Sequence, residues 1–144
     1  MGSTTYSKIL IAVDGSEHSL KIAIKGLSLA RQLGGIPALL FVIDKAKATG
    51  NVDANVTPQE AELILKKEAI LTFDTITAHW DGSDILRLMP VGNPKEAILK
   101  TAEDWQADLI VMGMRGKSGI VRTLMGSVTE FVISHSSREI LLVK

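Results

Sequence analysis

Five short apolar runs constrain this chain more than any other feature: Ile9-Leu-Ile-Ala-Val13, Ala38-Leu-Leu-Phe-Val-Ile43, residues 85–91, Leu109-Ile-Val-Met112 and Ile140-Leu-Leu-Val143. Four of them are continuous. A strand with one wet face alternates apolar and polar residues, whereas an unbroken run suits a strand covered on both faces. Such strands need helices above and below, and helical patterns fill the intervals. Leu20, Ala23, Ile24, Leu27 and Ala30 share one helical face, with Gly34-Gly35 as the stop. Thr57-Pro58-Gln59-Glu60 offers a capping hydroxyl, a proline at the first helical position and a glutamate to close the box. The stripe Leu65, Ala69, Thr72, Phe73, Ile76 and Trp80 follows it. Asn93-Pro94-Lys95-Glu96 repeats the start signal before Ala97, Ile98, Thr101, Ala102 and Trp105. A last helix is expected from Ser127, carrying Val128, Phe131 and Val132. Alternation through five strands and four helices predicts an α/β three-layer sandwich around a mainly parallel sheet.

Two strands are expected at edges. Residues 85–91 contain Arg87 and Pro90, and proline cannot donate to a ladder. The final run follows the last helix, yet its four apolar residues have no gatekeeper against pairing with another chain. The same strand of a second subunit would cover it, so a homodimer through Ile140-Leu-Leu-Val143 is favoured over cover by the chain's own helix or loop.

The length, 144 residues, suits one domain spanning 1–144. Within it, residues 1–6 are expected to be disordered or tag-derived. Residues 45–57, polar and poor in helix formers, are expected to form a mobile surface loop. Hydrophobic residues make up 46% and charged residues 22%, the balance of a soluble globular protein. Sixteen Lys plus Arg offset sixteen Asp plus Glu, so no global field favours nucleic acid or an anionic membrane. The absence of cysteine excludes disulfides and thiolate metal sites and suits a cytoplasmic protein. No signal-peptide pattern and no run of membrane-spanning length is present.

The chemistry is expected at strand ends. In open parallel sheets, ligands sit beyond the carboxyl ends of strands where the winding reverses. The first and fourth runs, free of charge and proline, are the candidates for the centre. Asp14-Gly15-Ser16 follows the first, where a carboxylate can receive hydroxyls or amines from a ligand; Asp14 or Ser16 capping the first helix fits the position equally well. After the fourth comes GMRGKSGIVRTLMGS, residues 113–127. Its Gly116-Lys117-Ser118 imitates the end of a P-loop, but that loop needs a glycine where Val111 stands. Gly113 and Gly116 instead let a ligand approach backbone at a strand end, and Gly126-Ser127 opens a helix whose free amides suit phosphate. Arg115, Lys117 and Arg122 can offset phosphate charge. A bland reading stands beside this one: Ser127 to Glu130 has the spacing of a capping box, and the cations read equally as a solvated rim.

Gly-x2-Gly-x9-Gly-Ser, on Gly113, Gly116, Gly126 and Ser127, resembles the ATP-binding signature of the universal stress protein family. Lys8-Ile-Leu-Ile-Ala-Val-Asp14-Gly-Ser16 is similar to that family's first strand. Phe41-Val-Ile-Asp44, Val91-Gly92-Asn93-Pro94 and Ala107-Asp108-Leu-Ile-Val-Met-Gly113 are similar to its later strand ends. The resemblance implies a five-stranded parallel sheet of order 3-2-1-4-5, of the adenine nucleotide alpha hydrolase-like kind, and a homodimer. It implies ATP between the first and fourth strands, with Mg2+ or Mn2+ on the phosphates and no protein-built metal site. Carried over by position, Ala12, Asp14 and Val42 would line the adenosine end. Gly113 and Gly116 would admit ribose and phosphates, and Gly126, Ser127 and Val128 would hold the phosphates. Val13, Met112 and Arg115 adjoin these positions. The chain departs from the family at Glu139, where proline often precedes the last strand.

Other readings are weaker. His18, His79 and His135 lack metal-ligand spacing, and His135 reads as a packed or capping residue of the last helix. Met112, Met114 and Met125 read as packing, and Trp80 and Trp105 as core anchors. No catalytic residue is nominated, because no positioned general base is legible; at most slow ATP hydrolysis is expected. An adenylating or pyrophosphatase relative would carry Ser-Gly-Gly-x-Asp-Ser where this chain has Asp14-Gly-Ser-Glu-His-Ser19. A fold-retaining interaction module without nucleotide would have no reason to keep the glycines. The favoured reading is a dimeric, nucleotide-responsive stress or signalling module.

Overall fold

The computed structural model describes residues 5–81, 85–114 and 125–144. In chain order the elements are β1 (Lys8–Val13), α1 (Ser19–Leu33), β2 (Ile36–Phe41), β3 (Ile43–Asp44), α2 (Pro58–Ala78), β4 (Leu86–Leu88), β5 (Val91–Gly92), α3 (Pro94–Trp105), β6 (Leu109–Gly113), α4 (Ser127–His135) and β7 (Glu139–Val143). Five strands form a parallel sheet in the order β4-β2-β1-β6-β7. Counted by the five apolar runs, that order is 3-2-1-4-5.

The unbroken runs follow from two cores. Along β1, Ile9, Ile11 and Val13 pack with α1 and α2 residues such as Leu27, Phe73 and Ile76. The alternate residues Leu10 and Ala12 turn to the other layer, where Ile98 and Ala102 of α3 and Val132 of α4 lie. In β6, Leu109 and Val111 serve the first core and Ile110 and Met112 the second. Close approach of α1 depends on Gly26, where a Cβ would stand 2.7 Å from Ile11 Cγ1.

The second and third runs, expected as single strands, are each interrupted. β2 ends at Phe41 and β3 resumes at Ile43; β4 ends at Leu88 and β5 resumes at Val91. The pairing Ala38 with Leu86 continues to Ile43 with Val91 without a slip. The break is therefore a gap in the ladder, set opposite Pro90, which has no N–H to give. Pro90 still accepts from the Ile43 amide at 2.8 Å. β4 and β7 take the two edges.

Of residues 1–6, Thr5 and Tyr6 are described. Tyr6 packs against the α1/α2-side core, and its hydroxyl donates to the Glu139 carboxylate at the start of β7. Loop 45–57 contains a bridge in which Asn51 and Val56 exchange both backbone hydrogen bonds at 2.8 Å. Trp80 and Trp105 lie at the rims rather than inside, each half-buried beneath a cation: Arg31 stands 4.1 Å from the Trp80 ring and Lys8 Nζ 5.6 Å from Trp105. His135 is exposed and stacks on Phe131 at 4.0 Å instead of packing into the core.

Candidate functional site

β1 and β6 are neighbours, but the chain leaves β1 towards β2 on the opposite side. Their carboxyl ends, Val13 and Gly113, therefore flank the point where winding reverses and connections diverge. The sheet's alternation sorts the candidate residues around this point. Ala12, Val42, Met112 and Val128 all belong to the α3/α4 side. Val13 points into the opposite core, so it can offer a ligand only its backbone.

The turn after β1 is closed by its own side chains. Asp14 Oδ1 accepts from the Ser16 amide at 3.0 Å and from the Ser19 hydroxyl at 3.4 Å. The buried Ser19 oxygen accepts from the amides of Asp14 at 3.3 Å and Gly15 at 3.1 Å. Neither Asp14 nor Ser16 caps α1; that position belongs to His18, whose side chain makes no capping bond. Gly15 has φ +80, a backbone conformation that favours glycine, and a Cβ there would lie 2.6 Å from Glu68 Oε1, the movable end of an α2 side chain. The second carboxylate oxygen of Asp14 accepts no hydrogen bond among the described residues.

At the end of β6 the arrangement is the reverse. The expected capping box from Ser127 to Glu130 does not form, because α4 begins one residue earlier than that motif needs. Gly126 is the N-cap, Ser127 is the first helical residue, and no side chain caps the helix. Glu130 N donates to Gly126 O at 3.0 Å, while the amides of Ser127, Val128 and Thr129 have no acceptor among the described residues. Ser127 is exposed and its hydroxyl is unpartnered there as well. Gly126 has φ −64 and ψ 154, a conformation open to any residue. Those angles do not call for glycine, and Ser, Asp or Asn would cap the helix better. Glycine here leaves three amides uncovered, an arrangement suited to an anion.

Two hydrogen bonds hold this helix start against the strand end, and a third ties that end to β7. Gly126 N donates to Met114 O at 2.9 Å, and Met114 N to Val143 O at 3.1 Å. The Thr129 hydroxyl, buried on the inner face of α4, donates to Gly113 O at 2.9 Å. Sequence reasoning assigned Thr129 no role. Its signal was a hydroxyl three residues before the core residue Val132, on the same helical face.

Of the predicted site residues, Ala12, Val42, Met112 and Val128 share the α3/α4 side of the sheet, Asp14 follows β1, Gly113 ends the neighbouring β6, and Gly126 and Ser127 start α4. Arg115 and Gly116 lie outside the described residues, as do Lys117 and Arg122. Among the described residues no group of three His, Cys, Asp or Glu side chains could hold a metal ion. No described helix is long and apolar enough to cross a membrane.

Comparison with known proteins places the fold in a family. The family model described as the universal stress protein family matches residues 5–144. Universal stress protein MJ0531 of Methanocaldococcus jannaschii is 34% identical, over 99% of this chain and 85% of that protein. The solved structure of MJ0577 from the same organism is 35% identical with a TM-score of 0.82, covering 98% of this chain and 97% of the other. The universal stress protein of Archaeoglobus fulgidus, solved in complex with dAMP, shares the fold at 19% identity and a TM-score of 0.68, over 98% of this chain and all of that one. With a whole-chain family match, relatives above 30% identity and the shared parallel sheet, this chain belongs to the universal stress protein family.

Proposed function

We propose that the crevice between β1 and β6 binds an adenine nucleotide, ATP with Mg2+ or Mn2+ on its phosphates, and that the protein is a nucleotide-responsive stress or signalling module of the cytoplasm. The observation that carries this reading is the start of α4: three amides and a hydroxyl with no partner among the described residues, behind a glycine whose φ and ψ suit any residue. Gly126, Ser127 and Val128 would hold phosphates, with Gly113 and Gly116 giving backbone access and Arg115 offsetting charge. Ala12, Asp14 and Val42 would receive the nucleoside, Val13 contributing backbone and Met112 the apolar floor. The dAMP complex of the Archaeoglobus protein supports an adenine nucleotide as the class of ligand. The metal would ride on the phosphates, since the described residues supply no cluster for it. No residue is assigned a catalytic role, and the nucleotide is held rather than rapidly consumed.

The reading includes a homodimer through β7. Among the described residues that strand pairs only with β6, and Leu141 is exposed on it. Mass spectrometry of the denatured pure protein should release an adenine nucleotide, and calorimetry with ATP and Mg2+ should show saturable binding. No released nucleotide and no heat with ATP, ADP or AMP would leave a protein-interaction module. For the dimer, Leu141→Lys should shift sedimentation towards monomer, and an unchanged profile would remove β7 pairing.

A further inference from the structure

α2 is apolar on both faces. Its inner face buries Ala69, Phe73 and Ile76. On the outer side Leu63, Ile64, Ile70 and Leu71 remain 52%, 59%, 46% and 67% exposed, four large aliphatic side chains on one helix. At 3.6 residues per turn they flank a line of charges seven residues apart: Glu60, Lys67 and Asp74. Asp74 already holds Arg87 of β4 at 2.9 Å. Glu60 and Lys67 are exposed and have no ion-pair partner among the described residues.

We propose that this face is an interaction surface for a second copy of the chain, docked as an antiparallel α2–α2 pair about a two-fold axis between Leu63 and Ile64. The charges choose both partner and register. With the axis there, Glu60 of each copy meets Lys67 of the other, two opposite-charge contacts, while Leu63 and Ile64 each lie beside their own counterparts. An axis at Lys67 would set lysine against lysine. An axis between Ile70 and Leu71 would ask Lys67 to take Asp74 from Arg87. Arg87 of edge strand β4 reaches Asp74 and Thr77, so α2 lies at the β4 side of the molecule, opposite β7. The contact is therefore separate from pairing through β7, and the two together join more than two chains. One helix pair is a small interface, so association is weak and depends on concentration.

Because the chain has no cysteine, a single introduced one reports on its own copy alone. Under mild oxidation Ile64→Cys should form a dithiothreitol-sensitive dimer on a non-reducing gel. Leu71→Cys, about 22 Å from its counterpart in this register, should not. Lys67→Glu should weaken concentration-dependent association by about tenfold in sedimentation, and adding Glu60→Lys should restore it, with circular dichroism confirming the helix in each variant. Cross-linking through residue 71 but not 64, failure of the charge swap to rescue, or no α2-dependent association at high concentration would each overturn the proposal. The last result would assign the face to a different partner.

Discussion

α3 and α4 pack side by side on the same face of the sheet, yet they start in opposite ways. Asn93 caps α3 by accepting from the Lys95 amide at 2.9 Å, and Pro94 occupies the first helical position, so little is left for a ligand. α2 does the same with Thr57, which accepts from the Glu60 amide at 3.1 Å, and Pro58. α4 starts with a glycine and leaves its amides open. α2 and α3 carry side-chain caps, whereas α1 and α4 do not. The two uncapped helices follow β1 and β6, the strands that flank the point where the sheet reverses its winding. An uncapped helix start at such a point is suited to an anion.

Substitutions at the two kinds of start should therefore move stability and binding in different directions. The largest effect is expected for Gly126→Asp, which caps α4 and places a carboxylate where phosphate would sit. ATP affinity should fall about a hundredfold or more, roughly 2.7 kcal/mol, by calorimetry. Stability in urea should rise by a few tenths of a kcal/mol. Unchanged affinity would erase the contrast between α3 and α4. Thr129→Val should come next, costing about 1–2 kcal/mol in denaturant unfolding because Gly113 O loses its buried partner. Its ATP affinity should fall too, since the clasp registers α4 on β6. Asn93→Ala should cost about 1 kcal/mol of stability and leave ATP affinity within error; a matched loss of affinity would mean that any damaged helix start weakens the site. The smallest effect belongs to Ser127→Ala, with a loss in affinity of about threefold, roughly 0.6 kcal/mol, and no measurable change in unfolding.

Much of this was legible from residue order. The continuous runs announced strands buried on both faces, because residues such as Leu10 and Ile11 serve different cores. The caps at Thr57 and Asn93 were readable since proline and a short polar side chain act within one turn of chain. The interruption at Val42 was not, because it depends on Pro90, nearly fifty residues away, facing that strand across the ladder. At the site, the glycines stood out for their density, and the strand ends of β1 and β6 were placed correctly beside each other. The start of α4 at Ser127 was legible, and only the alternative of a capping box fails, because a Ser-x-x-Glu spacing cannot tell whether serine caps the helix or opens it. Thr129 stayed hidden because its partner is a backbone carbonyl of another element. The outer face of α2 went unnoticed, since residues 63, 64, 70 and 71 continue the apolar content of a helix already satisfied on its inner side.

Met114 has a part beyond packing. Its carbonyl receives the amide of Gly126, at the proposed phosphate end, and its amide is given to Val143, the last residue of β7. One peptide unit on either side of a single residue thus joins the proposed nucleotide site to the strand proposed to face a second subunit. A ligand that draws Gly126 inward strains the same residue that fixes the tip of β7. Linkage runs both ways: to whatever degree nucleotide firms that tip for pairing, pairing must firm the hold on nucleotide by the same factor. Occupancy and assembly would then be two readings of one equilibrium.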